Sequence, residues 1–424
     1  MIDSAEITAR SNDFGIHTSD VQRDYVFGWL LAGLYSASDL SGVLALKGGN
    51  AIRKGYLPSA RFSADLDFAT EQGLDAALLV AGFNQACEFA SEQTGVRFDL
   101  GRTQVADEQS IDRSKRLFKL RLYFEDFFGQ TSHLVLKVRA DVTEYDRIYL
   151  PTQGRPLIHP YSDQGALATE IRCIALEEAL ADKLKCLLQR RYSYDLFDLA
   201  YGAFLTDEYE IDRSAVVRTF LRKTVFEPSP TAARNLLLGV PFDLMRGFWE
   251  RLVAPKVSLL SFDRAVAVVK EGLRAMFAPF DYGALFEAAY FPAEIRNPLI
   301  EAASDFRLVR LTYDGVPRLV EPYSLAFKRR RDGVAQEYFY GWDQTGGRRS
   351  GPGIKAFLQG GVQGLEVTDE TFQPRFEVEL RRAGDRDSDR FLGQPFSAQQ
   401  LGARSRLRAA RPARSPRRSP RRRR

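Results

Sequence analysis

The sequence has 424 residues, 45% hydrophobic and 27% charged, with a formal net charge of +5, values of an ordinary soluble globular protein with two or three domains. No apolar run is long enough to cross a bilayer, and the N-terminus lacks the basic-then-apolar layout of a secretion signal, so we expect a cytoplasmic protein without membrane contact. The three cysteines, Cys87, Cys173 and Cys186, are scattered and show no ligand spacing with the histidines, so the sequence indicates neither a disulfide framework nor a zinc site, and we expect buried free thiols.

A glycine turn follows the first predicted helices. Residues 13–40 predict one or two helices by the spacing of their apolar side chains. An apolar strand at 44–46 then delivers Gly48 and Gly49 to the start of a helix, where glycine lets backbone N–H groups approach a ligand closely. Because the N-terminus of a helix favours anions, this turn predicts a phosphate-binding site.

Two aspartates follow the turn at a spacing that predicts a metal site. Asp65 and Asp67 alternate with Leu66 and Phe68, so an extended segment places both carboxylates on one face. Adjacent carboxylates repel each other unless a cation lies between them, and hard oxygen ligands suit Mg²⁺. A phosphate site beside such a pair predicts phosphoryl or nucleotidyl transfer. The alternative is a tight turn followed by a surface strand whose aspartates face water.

A third carboxylate lies on a later predicted strand. In the strand at 133–143, Lys137, Arg139 and Asp141 share one face and the apolar residues share the other. Asp141 is therefore the candidate for a third carboxylate beside Asp65 and Asp67. The alternative is a surface aspartate that pairs with one of the two cations. The neighbouring predicted elements are a helix at 74–94 and a strand at 116–127, with a turn at Gly129-Gln130.

The next helix, predicted over 169–191, carries a lysine within its apolar stripe. Lys183 lies at helical spacing from the leucines of that stripe, and a buried ammonium group is costly unless it reaches an anion or water. We expect Lys183 to bind a nucleotide phosphate; the alternative is an aliphatic stem whose charge reaches solvent. Asp195 and Asp198 follow this helix, and Asp195 could instead cap the next one.

Two segments resemble motifs of known proteins. The first segment reads Lys47-Gly48-Gly49-Asn50-Ala-Ile-Arg-Lys-Gly, followed by Arg61-Phe-Ser63-Ala-Asp65-Leu-Asp67-Phe. Its Gly-Gly and Asp-x-Asp elements resemble motif one of the nucleotidyltransferase fold, and the segment over its full length resembles the AbiEii/AbiGii toxin family. The second, Asp182-Lys183 with Tyr194-Asp195-Leu-Phe-Asp198-Leu, is similar to that family's glutamate-lysine helix and Arg-Asp-x-x-Asp-Leu motif. Asp182 and Tyr194 depart from the usual glutamate and arginine. The resemblance covers roughly residues 15–285.

This resemblance implies an Mg²⁺-dependent enzyme that moves a nucleoside monophosphate from a nucleoside triphosphate to an acceptor. It implies metal binding and catalysis by Asp65, Asp67 and Asp141, phosphate binding by Lys183, and a catalytic or structural role for Asp195 and Asp198. We expect the nucleotide to contact Lys47, Gly48, Gly49, Asn50, Ser63 and Lys183. The resemblance further implies an RNA acceptor such as a tRNA end, a toxin–antitoxin or phage-defence role, and a cognate antitoxin.

Residues 205–285 predict helices in which we identify no chemistry, and short strands begin near residue 300. Turns rich in glycine and aspartate separate these strands, which favours a small barrel or sandwich. The segments Glu321-Pro-Tyr-Ser-Leu325, Glu337-Tyr338-Phe339 and 364–372 resemble a WYL domain, a small SH3-like β-barrel, with Glu337-Tyr338-Phe339 in place of Trp-Tyr-Leu. That resemblance covers about residues 302–382 and implies ligand sensing or nucleic-acid binding.

A basic and aromatic surface in this region is a candidate site for single-stranded nucleic acid. It would comprise residues 328–331, Arg348-Arg349, Tyr338, Phe339, Tyr340 and Trp342. The alternative is a set of core aromatic residues with a solvated run of charge.

The positive net charge lies at the C-terminus. Residues 404–424 contain 11 arginines and no acidic residue, so removing these charges from the total of +5 leaves −6 on residues 1–403. Residues 385–424 therefore predict a disordered basic tail that contacts phosphate backbones, or a solvated extension without that role.

The sequence as a whole predicts an α/β (α+β) nucleotidyltransferase fold with a helical extension, followed by a small SH3-like β-barrel. We expect a nucleotidyltransferase domain at 1–204, the helical extension at 205–300, the WYL-like barrel at 301–384 and the tail at 385–424. Two other functions stay open: a nucleotide- or nucleic-acid-sensing regulator without turnover, and a nucleotidyltransferase that modifies a small molecule.

Overall fold

The computed structural model describes residues 2–111, 115–127, 135–281, 289–329, 334–348 and 350–386. The chain divides into two compact units, residues 1–287 and 288–424. Every helix within the described ranges is too short or too polar to span a lipid bilayer. The predicted turn at Gly129-Gln130, the arginines at 330, 331 and 349, and the tail from residue 387 lie outside those ranges.

Helices and strands alternate through the first half of the first unit, and helices alone make up its second half. Its first half contains α1 (Ser4–Phe14), α2 (Thr18–Ala37), β1 (Ala45–Lys47), α3 (Gly48–Ala51), β2 (Leu66–Ala69), α4 (Ala76–Thr94), β3 (Gln104–Ser110), β4 (Arg116–Glu125), β5 (Val135–Thr143), β6 (Gln153–Pro156) and β7 (Glu170–Cys173). Its second half contains α5 (Leu176–Gln189), α6 (Ser193–Leu199), α7 (Arg213–Lys223), α8 (Pro230–Leu238), α9 (Arg246–Trp249) and α10 (Phe262–Phe277). Two helices continue into π-helical turns, α3 through Ile52–Tyr56 and α6 through Ala200–Leu205.

The strands of the first unit form a seven-stranded mixed sheet in the order β3-β4-β5-β2-β1-β7-β6. Strand β2 pairs antiparallel with β1 and parallel with β5, so both lie beside it at the centre of the sheet. On one face, apolar residues such as Phe68 pack against Phe83 of α4, which in turn packs on α2. Gly33 allows this approach, because a Cβ atom there would lie 2.7 Å from the backbone oxygen of Ala86. The prediction of an α/β fold is confirmed.

Most predicted elements of this unit agree with the structure, but the helix predicted over 169–191 is too long. Residues Glu170–Cys173 form β7, and the helix begins only at Leu176. Ile171 and Cys173 are buried on one face, and Cys173 lies opposite Leu46 of β1. Pairing with a distant strand therefore decides the conformation of this segment.

The described residues of the second unit form one long helix and an antiparallel sheet. Its elements are α11 (Ala293–Asp305), β8 (Arg307–Tyr313), β9 (Val316–Arg329), β10 (Ala335–Asp343), β11 (Gly353–Leu358) and β12 (Val362–Thr371). The sheet order is β11-β10-β9-β8-β12, and among the described residues the two end strands do not pair, so the predicted SH3-like barrel is not confirmed. Helix α11 instead covers the apolar face, where Leu299 and Ile300 share a core with Val309 and Phe339. The structure thus places α11 in this unit, whereas the sequence pattern groups it with the helical extension.

The aromatic residues of β10 divide between two environments. Phe339 is buried in the core, and Trp342 packs against the same core beyond a register shift at Tyr340 and Gly341, whereas Tyr338 and Tyr340 are partly exposed. The Nζ of Lys328 donates a hydrogen bond to the Tyr340 hydroxyl at 2.7 Å. Of the aromatic side chains predicted to bind nucleic acid, Tyr338 and Tyr340 are therefore the two that do not pack on the core.

Candidate active site

A row of charged side chains, two aspartates between two lysines, crosses the centre of the seven-stranded sheet. The register of β1, β2, β5 and β4 places Lys47 beside Asp67, Asp67 beside Asp141, and Asp141 beside Lys119. Residues directly opposite each other on neighbouring strands project from the same face of a sheet, so these four side chains share one face. The structure thus brings together the two strands on which the predicted carboxylates lie.

The glycine turn lies directly against these aspartates. Gly48 has a φ of +70°, and a Cβ atom there would lie 2.3 Å from Oδ2 of Asp67. A Cβ atom on Gly49 would lie 2.9 Å from Oγ of Ser63 and 3.0 Å from Nη2 of Arg61. Only glycine fits either position without displacing a neighbour, so the first turn of α3 can approach the carboxylates closely.

Asn50, Ser63 and Asp65 form a small hydrogen-bonded group beside this turn. The Nδ2 of Asn50 donates to the backbone oxygen of Asp65 at 2.6 Å, and Oγ of Ser63 donates to Oδ1 of Asp65 at 3.2 Å. Nη2 of Arg139 lies 3.7 Å from the other carboxylate oxygen, Oδ2. Among the described residues, the buried Oδ1 of Asn50 has no hydrogen-bond partner, which leaves it free to accept from a ligand donor.

The carboxylates of the row perturb one another. Burial and the neighbouring charge of Asp65 raise the pKa of Asp67 to about 6, with a further contribution from Asp141 that Lys47 and Lys183 oppose. Burial also raises the pKa of Asp141, although Lys119 lowers it. Gathered carboxylates of this kind favour a cation, because a cation relieves their mutual repulsion.

The three aspartates have the right oxygen ligands for Mg²⁺, but in this structure they do not form a compact metal site. Asp65, Asp67 and Asp141 offer the hard carboxylate oxygens that Mg²⁺ prefers. Within the described ranges, however, no group of three histidine, cysteine, aspartate or glutamate side chains lies close enough together to hold a metal ion. Both oxygens of Asp65 are engaged within the chain, Oδ1 by Ser63 and Oδ2 by Arg139.

Lys183 lies in a buried ion-pair network. Its Nζ lies 3.1 Å from Oδ1 of Asp195 and 2.8 Å from Oδ2 of Asp198. Burial lowers the pKa of Lys183, but the two carboxylates outweigh that effect and hold the pKa above its ordinary value. Lys183 is therefore a fixed positive charge, and it lies near enough to Asp67 to lower the pKa of that residue.

Two arginines that the sequence analysis missed complete this network. Arg61 binds Asp198 through Nε and Nη2, both at 2.8 Å, and Arg190 binds Asp195 through Nε at 2.7 Å and Nη2 at 3.0 Å. Asp195 is fully buried and does not cap α6, so that alternative is wrong. One signal was available: the family's arginine is replaced by Tyr194, so Asp195 needs a cation from elsewhere in the chain.

Lys47 binds a residue that the sequence pattern did not single out. Its Nζ donates to Oδ2 of Asp146 at 2.6 Å and to Oγ1 of Thr143 at 3.2 Å. Lys115 also lies 3.2 Å from Asp146. Burial raises the pKa of Asp146, but the two lysines outweigh it and hold the pKa well below the ordinary range. Lys47 is thus held at the edge of the site by a permanently charged carboxylate.

The sequence of this chain matches the model of a known protein family. Residues 29–268, more than half of the chain, match the family described as "Nucleotidyl transferase AbiEii toxin, Type IV TA system". Among solved structures, the chain is similar to MenT4, a nucleotidyltransferase toxin from Mycobacterium tuberculosis H37Rv, at 19% identity over 65% of this chain and 87% of that one, with a TM-score of 0.36. It is also similar to JHP933 from Helicobacter pylori, at 13% identity over 61% of this chain and 91% of that one, with a TM-score of 0.37. No curated protein matches it.

Proposed function

The chain belongs to the AbiEii nucleotidyltransferase toxin family, and from this premise we propose that it transfers a nucleoside monophosphate from a nucleoside triphosphate to an RNA acceptor. The observation that carries the proposal is the register of Asp67 and Asp141 on adjacent strands beside Gly48, all within the matched residues. We propose further that a tRNA end is the acceptor and that a cognate antitoxin restrains the enzyme.

In the proposed reaction, a hydroxyl oxygen of the RNA attacks the α-phosphorus of the nucleotide, forms a new P–O bond and gives up its proton to solvent. The bond between that phosphorus and the bridging oxygen breaks, and pyrophosphate leaves with the electron pair. Backbone N–H groups at Gly48 and Gly49 approach the triphosphate, since no side chain blocks them. Asp141 orients the attacking hydroxyl group, and the fixed charge of Lys183 stabilises the negative charge that develops on the phosphates.

The carboxylates of Asp65, Asp67 and Asp141 would hold Mg²⁺ in this proposal. When bound, the cation neutralises phosphate charge and aligns the attacking and leaving oxygens. The hard oxygen donors and the raised pKa of Asp67 support this assignment. The hydrogen bond and ion pair of Asp65 would have to give way as the ion binds.

The test incubates the full chain with each α-labelled nucleoside triphosphate, MgCl₂ and total RNA, and measures label that becomes acid-insoluble and sensitive to ribonuclease. We expect labelled RNA with the wild type and a loss of at least about 100-fold with Asp67→Asn, a magnitude typical for the removal of one essential catalytic group. The matched control is Asp107→Asn, on the same face of the sheet but on strand β3, opposite Lys119. It should retain the wild-type rate.

The other two candidate functions give different results in the same assay. A small-molecule nucleotidyltransferase would leave label in the acid-soluble fraction as a new product of the nucleotide and an added metabolite extract. A regulator without turnover would bind nucleotide and release no pyrophosphate. Equal activity of Asp67→Asn and the wild type would refute the proposed site.

For the second unit we propose a WYL-like role in sensing a ligand or nucleic acid. The partly exposed pair of Tyr338 and Tyr340, with Lys328 bound to Tyr340, supports this role because aromatic and cationic side chains together bind bases and phosphates. Tyr338→Ala combined with Tyr340→Ala should weaken binding of a labelled single-stranded RNA without altering nucleotide binding. Unchanged affinity would refute this role.

A further inference from the structure

One exposed face of the large sheet carries a concentration of positive charge next to the aspartates. We call it the basic sheet face and define it by Lys119 and Arg121 of β4 and by Lys137 and Arg139 of β5. These residues alternate with buried apolar ones, so they all project away from the helix-covered side. Residues 1–403 carry a net charge of −6, and this cationic surface is therefore a local departure from an acidic background.

Two of these arginines oppose each other directly. Arg121 pairs with Arg139 across β4 and β5, and both side chains are exposed. Like charges in directly opposite positions destabilise a sheet. Among the described residues, no ion pair within 4.0 Å involves Arg121 or Lys137, whereas Lys119 pairs with Asp107 and Arg139 with Asp65, each at 3.7 Å. An unfavourable arrangement of this kind is explained by a role in binding an anion.

Tyr123, an aromatic side chain, lies on the same face between the cations and Glu125, the exposed last residue of β4. Tyr123 stands opposite Lys137, and the guanidinium carbon of Arg102 lies 4.0 Å from the centre of its ring. Tyr123 is partly exposed. A tyrosine among cations provides a stacking platform for a base beside contacts for phosphates, a combination typical of surfaces that bind single-stranded nucleic acid.

The basic sheet face is continuous with the candidate active site. Asp141 lies on the same face of β5 as Lys137 and Arg139, and Lys119 lies directly opposite Asp141. Same-face neighbours on a strand are separated by about 6.8 Å, so Lys137 lies roughly 13 Å along β5 from Asp141. A chain of nucleotides whose end reaches Asp141 would therefore pass over these cations.

We infer that the basic sheet face binds the phosphate backbone of the acceptor RNA and directs its end to Asp67 and Asp141. This inference rests on the proposed function for the identity of the acceptor. It assigns roles to Arg121 and Lys137, which lie outside the nucleotide-binding and metal-binding residues. The surface binds backbone phosphate rather than a particular base sequence, because its groups are cations and one aromatic ring.

The test compares the full chain with the double variant Arg121→Gln and Lys137→Gln. Binding of labelled bulk tRNA is measured by fluorescence anisotropy over a range of KCl concentrations, and the KM for tRNA is measured in the transfer assay. The loss of two phosphate contacts should reduce the magnitude of the slope of log affinity against log salt concentration by about 1.4 to 1.8. It should also raise the Kd and the KM for tRNA about tenfold or more near 0.1 M salt. The KM for the nucleotide should not change.

The matched control is Arg264→Gln with Arg274→Gln, which removes the same charge from two exposed positions of α10. It should leave the salt dependence and the KM for tRNA at wild-type values. The thermal unfolding midpoint adds a second readout. Loss of Arg121 relieves a like-charge pair, so the midpoint of the sheet-face variant should stay constant or rise by up to about 3 °C.

The outcomes separate this inference from the proposed function. A wild type that binds tRNA but transfers no nucleotide would refute the proposed reaction, and the salt dependence of the variants would still decide the role of the basic sheet face. Equal salt dependence, Kd and KM for the sheet-face variant and the wild type would overturn the inference. A variant that unfolds at a markedly lower temperature would also overturn it, because the two side chains would then be structural.

Discussion

The most informative stability prediction concerns Asp24, a buried carboxylate on α2. It accepts hydrogen bonds from Nε of Arg53 at 2.9 Å, from Nζ of Lys54 at 2.8 Å and from the Tyr161 hydroxyl at 2.9 Å. Both cations lie in the helical segment that begins at Gly48. Burial raises the pKa of Asp24, but Arg53 and Lys54 outweigh it and hold the pKa well below the ordinary range. Asp24 therefore stays charged at neutral pH and attaches the glycine-turn segment to α2.

We predict that Asp24→Asn lowers the free energy of unfolding of the first unit by about 3–5 kcal/mol, the usual cost of leaving a buried cation without its partner. The side chains of Asp24, Arg53 and Lys54 are 3%, 2% and 1% exposed, so water cannot replace the lost carboxylate. At about 2–4 °C per kcal/mol for a domain of this size, the unfolding midpoint should fall by roughly 6–20 °C.

The control is Asp20→Asn, four residues earlier on the same helix. Asp20 also forms an ion pair, with Arg23 at 2.8 Å, but the two side chains are 28% and 29% exposed. Exposed pairs contribute about 1 kcal/mol or less. Both variants are measured at pH 7 by circular dichroism during thermal and urea unfolding. If Asp24→Asn costs no more than Asp20→Asn, the assignment of the buried network as an anchor is wrong.

Three further predictions follow from single contacts. Gly48→Ala should abolish transfer because its Cβ would lie 2.3 Å from Asp67, whereas Gly95→Ala, with the same positive φ but open space around it, should lose about 1–2 kcal/mol of stability and keep its activity in the transfer assay. Burial lowers the pKa of His159 below its ordinary value of 6.5, so the folded state disfavours the protonated imidazole. The free energy of unfolding should therefore be highest above pH 6.5 and should fall as the pH drops through the lowered pKa. His159→Gln should reduce this pH dependence in urea titrations at pH 5 to 7. Glu337→Gln should destabilise the second unit by about 3 kcal/mol, seen as a shift of its own unfolding transition, because Arg296 binds that buried carboxylate at 2.5 Å. The first argument is wrong if the two glycine variants have equal transfer activity. The second is wrong if the free energy of unfolding of His159→Gln depends on pH as that of the wild type does, and the third is wrong if Glu337→Gln leaves the unfolding transition of the second unit unchanged.

The elements that carry the site could be predicted because their signals are local. Alternation alone placed Arg139 and Asp141 on one face of a strand; it also predicted a strand through Asp65 and Asp67, but Asp65 lies just before β2, which begins at Leu66. The spacing of the leucines placed Lys183 on the buried side of its helix. Which strands become neighbours was not visible in these patterns, and the parallel pairing of β2 with β5 that aligns Asp67 with Asp141 came from the structure.

The partners of the charged residues could not be predicted, because they come from distant parts of the chain. Arg61 binds Asp198, which is 137 residues away, and Lys47 binds Asp146, which is 99 residues away. No local pattern marks such pairs. The same limit explains the second unit, where the strand pattern was correct but could not show that α11 would cover the sheet in place of barrel closure.

The contact between Arg139 and Asp65 has a consequence for the coupling between the two ligands proposed above. A divalent ion bound to Asp65 would compete with Arg139 for that carboxylate, and a phosphate bound to Arg139 would compete with Asp65 for that guanidinium group. An anion that draws Arg139 away would therefore free Asp65, and an ion that binds Asp65 would free Arg139. Thermodynamic reciprocity then requires each ligand to raise the affinity for the other by the same factor.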